Sequence, residues 1–577
     1  MTNAITGIAA SAGIAAAPAF LFLEPDLSFE HRQITDQQAE IDRFEDAVAV
    51  ARTEVQALAD QAQVKMGQEA ADVFTAHLMI LQDPEFVGAI EEIIQEQQIN
   101  AEAALAQIEQ KFVKLLSGLA GNAYMQERVA DVRDVSKRLL AHLLKQPLPD
   151  LQAITSPVIL VATDLTPSMT AHVNPKFIKG FVTDEGGKTS HSAIMARTLG
   201  IPAVVGTGKA TTDIRTGQQI IVNGTAGTVV LYPTTQQLKQ AEAERAAWQQ
   251  RLRDEEALRN SASQTADGHR VIVAANLGLP SDVEQAQKNG AEAVGLFRTE
   301  FLYMHADQFP SEDVQVEAYR QVLRAMPDKQ VIIRTMDIGG DKRLPYWELP
   351  QEDNPFLGVR AIRLSLANED VFRTQLRALL RASASGHLGI MFPLISNLSE
   401  LRAAKKMLAE EKENLLQAGV KIGQDLQVGM MIEVPAAAIL ANRFAKEVDF
   451  FSIGSNDLVQ YTLAADRTNR QLAQLSQPYN PAVLQLIWRT ISAAHEAGIW
   501  CGMCGEAACD PIMLPLLIGA GLDEFSMNSG SILTVRDQLR HCSQSEAAEL
   551  VAQVKAQAET ASDVKKLVQA FQKREKA

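Results

Sequence analysis

The sequence predicts a multidomain α/β protein that ends in a (β/α)8 TIM barrel. Three observations support this fold class. Residues 30–146 have helical periodicity, the chain from about residue 148 has the pattern of short strands with glycine turns, and after residue 263 strand-like runs alternate with helical patterns. Because 577 residues are too many for one core, we expect about three domains.

An apolar segment without charged residues lies near the start of the chain, from Ile5 to Leu23. Its composition resembles an export signal, but no basic residue precedes it and Gly7, Gly13 and Pro18 interrupt it. We therefore expect buried strand and turn structure that completes the first α/β domain. No other apolar run approaches the roughly 20 residues of a membrane span, so no membrane insertion is expected.

The helical part of the chain carries apolar residues three and four positions apart. This spacing predicts amphipathic helices that pack as a bundle, such as one of two hairpins. His77 lies on one of these stripes, and we interpret it as a core residue, with a docking surface as the alternative. The stripes consist of Phe74, His77, Leu78 and Leu81, of Leu105, Ile108, Phe112 and Leu115, and of Val132, Val135, Leu139 and Leu143.

Short β-rich runs follow the helical region and predict a compact α/β domain. Glycine turns separate these runs, which read "SPVILVATD", "IKGFVTD", "IPAVVGTG", "QQIIVNG" and "GTVVLYP". The next stretch, 234–263, is polar and lacks a wide apolar face, which is typical of a solvated helix. At 1.5 Å per residue such a helix would span roughly 40–45 Å and would allow domains to swing.

His191 occupies an unusual place in this α/β domain, within "GGKTSHSAIMARTLGIP". Thr189 and Ser190 are candidate N-caps, and Gly200 and Pro202 end the apolar helical pattern, so His191 is predicted in the first turn of a short helix. Free N–H groups and the helix dipole favour an anion there and disfavour a protonated imidazole. A neutral imidazole is a nucleophile, although a packed histidine at a loop–helix junction remains the alternative.

Eight strand-like runs over about 250 residues match the barrel fold. They read "VIVAAN", "AVGLFRTE", "VIIRTMD", "GVRAIR", "LGIMFPLI", "VGMMIEVP", "FFSIGSND" and "IWCGMCGE". Chemistry in this fold lies at the carboxyl ends of the strands. The residues found there are Arg298, Arg334, Arg360, Glu433, Asn456, Asp457 and Cys504.

Arginines and carboxylates at these strand ends indicate a small polyanion held with a divalent metal. Arg298, Arg334 and Arg467 can pair with phosphate and carboxylate oxygens in a bidentate manner. Glu433 and Asp457 offer hard oxygen ligands suited to Mg²⁺. Rim salt bridges and ordinary surface carboxylates are the alternatives for any one of these residues.

The cysteines are few and lie in the last quarter of the chain. Cys501 and Cys504 form a CxxC pair, but residues three apart on a strand point to opposite faces and no second pair of this spacing exists, which disfavours zinc. We interpret Cys501 as a packing residue and Cys504 as a proton donor at the strand end. Four cysteines are no disulfide framework, so we expect a cytoplasmic protein. A net charge of −16 argues against nucleic-acid binding.

Long blocks of the sequence resemble the enzyme I family of the sugar phosphotransferase system. They occur in family order along essentially the whole chain. Lys188 and Ser455 depart from the family, which commonly has arginine and threonine there. The blocks are "GGKTSHSAIMAR", "ERVADVRDVSKRLL", "NGAEAVGLFRTEFLYM", "RTMDIGGDK", "NPFLGVRAIR", "VDFFSIGSNDLVQYTLAADR" and "GMCGE".

The resemblance implies a reaction and a role for each candidate residue. It implies that His191 accepts the phosphoryl group of phosphoenolpyruvate, that Glu433 and Asp457 hold Mg²⁺, and that Cys504 protonates the enolate. It further implies transfer to the histidine-containing phosphocarrier protein HPr, docked on the helical region, and a homodimer formed through the barrel. The residues implied to contact phosphoenolpyruvate are Arg298, Arg334, Arg360, Asn456, Asp457 and Arg467.

The domain boundaries follow from the pattern and the resemblance together. We expect a swivelling phosphohistidine domain of residues 1–29 and 147–233, an inserted carrier-docking bundle of 30–146, a linker of 234–263, and a barrel of 264–577. Two other functions stay open: a dikinase or phosphoenolpyruvate synthase, which would need a nucleotide-binding domain, and a regulatory phosphorelay without turnover.

Overall fold

The computed structural model describes most of the chain: residues 4–23, 27–66, 68–118, 123–146, 151, 154–165, 173–187, 190–304, 306–340, 342, 344–347, 349–350, 352–467, 469–472 and 474–575. Residues 61–66, 68–72, 117–118, 123–127, 191, 198, 470 and 575 are described by their backbone alone. The chain forms two compact units, Met1–Arg251 and Leu252–Ala577.

The first unit contains an eight-stranded sheet to which the N-terminal segment contributes three strands, as its sequence predicts. The spatial order of the strands is β1-β8-β7-β3-β4-β5-β6-β2, and β3 pairs in parallel with β4 although the helical region lies between them in the chain. The strands are β1 Ala4–Thr6, β2 Ile8–Ser11, β3 Ile14–Phe22, β4 Val158–Ala162, β5 Ile178–Thr183, β6 Ala203–Val205, β7 Gln219–Asn223 and β8 Thr228–Val230.

Gly7 closes this sheet on itself. It is the single residue between β1 and β2, which lie at opposite edges of the sheet, so the two edges meet at this glycine. The Gly7 amide donates to the Gly227 carbonyl at 2.9 Å, and a Cβ atom at Gly7 would lie 2.7 Å from the Val205 carbonyl oxygen. Only glycine fits such a close approach of three backbone segments.

The part of the helical region between β3 and β4 that the structure describes contains five helices, which form a bundle. α1 packs on α2, and α4 packs on α5. Apolar side chains fill its core. The residues of the predicted stripes are buried in it or, for Leu78 and Phe112, packed against it half-buried, but Leu115 is 65% exposed. The stripe prediction is wrong at Leu115 because the helix turns that residue out of the core. The helices are α1 Gln37–Met66, α2 Gln68–Gln82, α3 Pro84–Gln97, α4 Ala101–Gly118 and α5 Ala123–Leu143.

Before the barrel, the described residues contain three further helices: α6 His191–Thr198, α7 Ala210–Asp213 and α8 Thr235–Ala257. α8 corresponds to the predicted linker, and most of its side chains are exposed. It ends at Ala257 rather than at residue 263. The chain then turns, with the Leu258 amide donating to Glu255 O and the Arg259 amide to Glu256 O.

The second unit is a closed barrel of eight parallel strands, as the sequence predicts. Its strands are β9 Ile272–Leu277, β10 Ala293–Arg298, β11 Gln330–Arg334, β12 His387–Phe392, β13 Gln427–Ile432, β14 Phe450–Ile453, β15 Trp500–Met503 and β16 Glu524–Met527. Its helices are α9 Asp282–Lys288, α10 Glu300–Met304, α11 Glu312–Ala325, α12 Ala361–Ala367, α13 Glu369–Ala382, α14 Leu398–Gln417, α15 Pro435–Ile439, α16 Ala441–Phe444, α17 Ser455–Leu463, α18 Pro481–Glu496, α19 Met513–Gly519, α20 Ile532–Leu539, α21 Gln544–Gln557 and α22 Ala561–Glu575.

One predicted barrel strand is wrong and one strand was missed. The run "GVRAIR" is not a strand, because Arg360 is the residue before α12 and the helix begins at Ala361. The eighth strand is β16, which closes the barrel between β15 and β9. Its four buried residues include the polar Glu524 and Ser526, so the segment lacks the apolar run by which the other strands were recognised.

The barrel has two cores because side chains alternate along each strand. Val331 and Ile333 of β11 pack outward against the helices, whereas Ile332 packs inward. The interior core also contains Met391, Met431 and Phe450. Among the described residues, no helix is long and apolar enough to cross a membrane.

Candidate functional site

A cavity of about 310 Å³ lies at the carboxyl ends of the barrel strands. Polar side chains from several strands meet in its wall, as the sequence predicts for this fold. Seven predicted site residues line it: Arg298, Arg334, Glu433, Asn456, Asp457, Arg467 and Cys504. Four charged residues that the sequence analysis did not select line it too: Glu300, Asp337, Lys342 and Glu506.

The local structure explains why these side chains converge. Arg298 and Arg334 are the last residues of β10 and β11 and lie side by side in the strand register. Glu433 directly follows β13 and Cys504 directly follows β15, and Asp457 lies in the first turn of α17. The parallel strands of a closed barrel all end at one rim, so these residues share one opening.

Arg334 is held in place by two buried carboxylates. Its Nη2 atom lies 2.6 Å from Glu300 Oε1 and 3.0 Å from Asp337 Oδ2. Lys342 Nζ contacts the same two oxygens at 2.8 and 3.0 Å. Burial raises the pKa of Glu300 and of Asp337, but the neighbouring cations lower both by more, so both carboxyls are ionised at neutral pH.

Arg298 differs from Arg334 in having no such partner. Within the part of the chain that the structure describes, no hydrogen bond or ion pair involves its side chain. Its guanidinium group lines the cavity and keeps its donors for a ligand. Phosphate and carboxylate oxygens are the acceptors that match this planar group.

Glu433 and Asp457 form the carboxylate pair of the cavity. Glu433 is 1% exposed and accepts a 2.6 Å hydrogen bond from the Leu394 amide. Burial raises its pKa to about 8, together with the negative charges of Asp457 and Asp337. Gly454 lies against it, since a Cβ atom there would be 2.9 Å from Glu433 Oε2. Two carboxyl groups that line one cavity, one of which raises the pKa of the other, fit a divalent cation.

These oxygen ligands fit Mg²⁺ better than a metal ion that takes all of its ligands from protein side chains. Among the described residues, no group of three or more His, Cys, Asp or Glu side chains could hold a metal. Mg²⁺ is bound by one or two carboxylates and takes its other oxygen ligands from water and substrate phosphate. Glu433 and Asp457 would supply those two carboxylates.

Arg360 lies behind the cavity and not in its wall, which corrects its predicted place at a strand end. It is 1% exposed, and its Nη2 atom lies 2.9 Å from Asp337 Oδ1 and 3.5 Å from Asp457 Oδ2. The Phe356 ring lies against both Arg360 and Arg467, with guanidinium carbons 5.7 and 5.6 Å from its centroid. Arg360 therefore contacts carboxylates that line the cavity.

Cys504 presents a buried thiol to the cavity. The residue is 3% exposed and belongs to the interior core, whereas Cys501 packs in the outer core, as the alternation of the strand predicts. Burial raises the pKa of Cys504 to about 11. The thiol therefore holds its proton at neutral pH, as a proton donor must.

The missed residues had a signal in the sequence. Glu300 follows Arg298 by two positions, Asp337 follows Arg334 by three, and Lys342 ends the block "RTMDIGGDK". Asp337 pairs with Arg334 at the end of the same strand, whereas the contacts of Glu300 with Arg334 and Lys342 join two different strand ends. The sequence blocks therefore contain these charged residues, but they do not show which side chain each of them contacts.

His191 is the first residue of α6, as predicted. Ser190 is the N-cap, and its Oγ accepts from the Ala193 amide at 3.4 Å. Ser192 is completely buried, with its Oγ 2.9 Å from Ser190 Oγ. These contacts fix the start of the helix. Lys188 and Thr189, the other candidate N-cap, lie outside the described residues, as does the side chain of His191.

His77 is a core residue of the bundle, as the favoured interpretation holds. It is 1% exposed, and its ring packs edge-on against Phe74 with centroids 6.0 Å apart. Its Nε2 atom lies 3.2 Å from Asp131 Oδ1, and its Nδ1 atom 3.7 Å from Asp134 Oδ2.

Comparison with known proteins gives matches along nearly the whole chain. Family models described as the N-terminal, mobile and PEP-binding domains of PEP-utilising enzymes match residues 6–128, 154–227 and 253–544. A phosphoenolpyruvate-protein phosphotransferase of Enterococcus faecalis is 51% identical over 575 residues, covering 99% of this chain and 100% of its own. Enzymes with the same name from Latilactobacillus sakei and Bacillus subtilis are 53% and 52% identical, over 95% and 94% of this chain and 95% of each of their own.

Proposed function

Because the chain belongs to the phosphoenolpyruvate-protein phosphotransferase family, we propose that this enzyme passes the phosphoryl group of phosphoenolpyruvate to its own His191 and then to a phosphocarrier protein. Pyruvate is the second product. The observation that carries the proposal is the cavity at the barrel rim, where three arginines, the Glu433 and Asp457 carboxyl groups and the Cys504 thiol meet. In that reaction the arginines would bind the phosphate, the two carboxyl groups would bind the metal, and the thiol would protonate the enolate carbon.

Substrate binding is assigned to the arginines of the cavity. Arg298 and Arg334 face the phosphate. The Arg298 guanidinium makes no ion pair among the described residues, and Glu300 and Asp337 hold the Arg334 guanidinium in place. Arg467 and Asn456 receive the carboxylate end, while Arg360 contacts Asp457 from behind. Charge neutralisation and alignment by these groups are the main sources of rate in phosphoryl transfer.

Glu433 and Asp457 would hold Mg²⁺ in this reaction. When bound, the ion neutralises charge on the phosphate oxygens as the phosphoryl group leaves. The proposal assigns the ion to these two residues because their carboxyl groups share one cavity wall and the pKa of Glu433 is raised to about 8 by burial and by Asp457.

The transfer step joins His191 to the phosphoryl group. A neutral imidazole nitrogen attacks phosphorus, an N–P bond forms, and the bond between phosphorus and the bridging oxygen breaks. That oxygen keeps the electron pair and becomes the oxygen of enolpyruvate. Nε2 is the attacking nitrogen in this proposal, with Nδ1 held by a neighbour.

Cys504 completes the reaction by protonating the enolate. Its S–H bond breaks, and the electron pair of the enolate double bond takes the proton to form the methyl group of pyruvate. The enolate oxygen becomes the keto oxygen, and the thiolate regains a proton from water. A pKa of about 11 keeps Cys504 protonated until the enolate, a stronger base, is formed.

The acceptor and the assembly extend the proposal. The phosphoryl group passes from His191 to a histidine of HPr, which docks on helices α1–α5, and the enzyme works in the cytoplasm as a homodimer joined through the barrel. The expected domain boundaries belong to the same proposal: a mobile His191 domain of 1–29 and 147–233 would visit both the barrel and the carrier.

Radiolabelled phosphoenolpyruvate tests the central step. Wild-type protein should acquire acid-labile, base-stable label, and His191→Gln should acquire none because glutamine cannot form the phosphoramidate. Transfer of label from the wild-type protein to purified HPr, with and without magnesium, tests the acceptor. Label of that kind on the His191→Gln variant would refute the role of His191.

A further inference from the structure

We propose that Asn276 is a positioning residue for the protonation step, which holds the backbone of Cys504 so that its thiol faces the enolate carbon. This inference rests on the proposed role of Cys504 as proton donor. Asn276 lies on β9 and does not line the cavity, so it acts through Cys504 rather than on the substrate.

The backbone of Cys504 is held by a side chain where the strand ladder has ended. The pairing of β15 with β16 runs only to Met503 and Phe525. The Cys504 amide donates to the Ile453 carbonyl of β14 at 3.2 Å. Its carbonyl accepts from Asn276 Nδ2 at 2.9 Å, across β16. Both polar groups of this peptide are therefore satisfied, one by backbone and one by Asn276.

The position of Asn276 is fixed in its turn. Ala275 and Leu277 face the outer core, so Asn276 points into the barrel. Ser526 Oγ, which is buried, donates to Asn276 Oδ1 at 2.7 Å. The Cys504 carbonyl can only accept, so the amide nitrogen must face it and the amide oxygen must face the serine hydroxyl. The side chain thus has one hydrogen-bonded orientation.

The residues after Cys504 are held from the other side of the barrel rim. The Glu506 amide donates to Asn456 Oδ1 at 3.2 Å, and the Ala507 amide to Ser455 Oγ at 3.4 Å. A Cβ atom at Gly505 would lie 2.0 Å from Ser455 Oγ, so this backbone lies directly against α17. Asn276 is the contact that fixes the Cys504 carbonyl at the start of this turn.

Loss of this contact should act on protonation more than on phosphoryl transfer. Without the Asn276 donor, the peptide after Cys504 can rotate, and the thiol on the same residue moves with it. A displacement of 1 Å costs a rate of the order of 100-fold when reacting groups must be aligned. The groups assigned to the phosphate do not contact Asn276, so formation of phosphohistidine should be nearly unchanged.

The experiment measures the two steps separately on the full-length enzyme with magnesium and phosphoenolpyruvate. Rapid-quench labelling reports formation of phosphohistidine, and lactate dehydrogenase reports pyruvate as it forms. Halogen trapping reports enolpyruvate released before protonation. The variants are Asn276→Asp, which keeps the shape but lacks the Nδ2 donor, Asn276→Ala, Ser526→Ala, and Cys504→Ala as the reference for lost protonation.

For Asn276→Asp and Asn276→Ala we expect labelling within about threefold of wild type, pyruvate formation slower by roughly tenfold to 100-fold, and trapped enolpyruvate. The solvent deuterium isotope effect on pyruvate formation should rise, because protonation becomes rate-limiting. Ser526→Ala should show the same pattern more weakly. Asn289→Ala is the matched control: Asn289 Nδ2 donates to Ser529 O at 2.9 Å elsewhere in the barrel, and wild-type rates are expected.

Three results would overturn the inference. Equal loss of labelling and pyruvate formation in the Asn276 variants would show a general structural role. Wild-type pyruvate formation in both Asn276 variants, with Cys504→Ala impaired, would show that the hydrogen bond from Asn276 to the Cys504 carbonyl is not needed. Wild-type pyruvate formation in Cys504→Ala would instead remove the proposed proton donor, and with it the positioning role of Asn276. The labelling of His191 would still test the phosphoryl-transfer proposal.

Discussion

Carboxyl groups a few ångströms apart in the barrel cavity have pKa values shifted in opposite directions. Glu300, Asp337 and Glu433 are all buried, and burial alone raises the pKa of each. Arg334 and Lys342 lie within 3.0 Å of Glu300 and Asp337 and lower their pKa. Glu433 lies beside Asp457 instead, and its pKa rises to about 8. Burial acts on all three carboxyl groups, so the neighbouring charges decide the direction of each pKa shift. Glu433 is the one of the three whose neighbouring cations do not outweigh its burial.

The raised pKa of Cys504 predicts its alkylation behaviour. Only the thiolate reacts with iodoacetamide, so a pKa of about 11 means that the rate at Cys504 rises about tenfold per pH unit from pH 7 to 9.5 without a plateau. Peptide mass mapping of the alkylated, substrate-free protein measures this slope. The same protein in urea is the control, where the rate should level off near the ordinary thiol pKa of about 8.5. A plateau below pH 9 in the folded protein would contradict the prediction.

Asp184 ties two segments of the first unit together in a pH-dependent way. Its carboxylate accepts hydrogen bonds from Thr207 Oγ1 at 2.8 Å, from the Thr211 amide at 3.2 Å, and from the Ala210 amide and the Thr211 hydroxyl. Burial raises its pKa, but these hydrogen bonds lower it by more. Because the folded pKa lies below the unfolded value, this stabilisation is complete above pH 4 and is lost as pH falls through the folded pKa.

We therefore expect Asp184→Asn to lower the free energy of unfolding by about 1 kcal/mol at pH 7, as for loss of a helix cap. The difference from wild type should shrink as the pH falls below about 4. Urea unfolding at several pH values measures it. Asp213→Asn is the matched control on α7: its exposed carboxylate is 3.8 Å from Lys209 Nζ, and a change within about 0.5 kcal/mol is expected. A pH-independent Asp184→Asn effect would show that the carboxylate charge is not involved.

At the scale of elements, short apolar runs identified seven of the barrel strands, because a buried parallel strand must be apolar on both faces. The two errors have one cause. "GVRAIR" has the composition of a strand but begins a helix at Ala361, and the four-residue β16 carries Glu524 and Ser526 inward. The Glu524 side chain fits inside the barrel because Gly295 and Gly502 have no side chains that would occupy the space of its carboxyl group. Composition along one segment does not show what faces it across the barrel.

The close approach of backbone segments in the first unit gives a stability prediction. A Cβ atom at Gly224 would lie 1.9 Å from the Ser11 carbonyl oxygen and 2.8 Å from the Ala203 nitrogen. Gly224→Ala must push β2, β6 and the turn after β7 apart, and we expect it to be less stable by about 1–3 kcal/mol. Gly88→Ala in α3 is the control, since nothing lies within 4 Å and alanine favours a helix by about 1 kcal/mol. Thermal unfolding followed by circular dichroism compares the two; a stability of Gly224→Ala equal to wild type would refute the clash.

At the scale of the whole molecule, the residues of the proposed reaction divide between the two compact units. The cavity with its arginines and carboxylates is built within Leu252–Ala577, whereas His191 belongs to Met1–Arg251. A phosphoryl group that moves from one unit to the other needs a ligand site complete in the barrel before transfer begins. The barrel cavity meets this requirement with residues of its own unit alone.

This division predicts which unit a substrate analogue stabilises. Phosphoglycolate with magnesium, at about 100 times its dissociation constant, should stabilise the barrel by about 2.7 kcal/mol, because it binds only the folded site. Hydrogen exchange should slow in peptides around residues 330–342 and stay unchanged in peptides of Met1–Arg251.

Glu433→Gln and Glu524→Gln separate the role of the metal site from that of any buried carboxyl. The pKa of each glutamate is raised to about 8, by burial first in both cases, but only Glu433 lines the cavity. Glu433→Gln should lose the dependence of the protection on magnesium, and Glu524→Gln should keep it. Loss of magnesium dependence in both variants, or in neither, would remove Glu433 from the site.

The sequence by itself predicted which residues would carry the chemistry, and it determined roughly where they lie in the fold. Strand alternation, glycine turns and the position of charges after apolar runs are short-range features, so they predicted the barrel, the place of His191 at a helix start, and the convergence of Arg298, Arg334, Glu433, Asp457 and Cys504. The opposite orientations of Cys501 and Cys504 followed from the same alternation.

Only the tertiary structure decided which side chains pair. The Arg360–Asp457 contact joins residues 97 positions apart, and the bond from Asn276 to Cys504 joins residues 228 apart. Such pairs depend on strand order around a closed barrel and on register between strands, which no local pattern encodes. For the same reason the sequence could predict a proton-donor role for Cys504 but could not show what holds the residue in place.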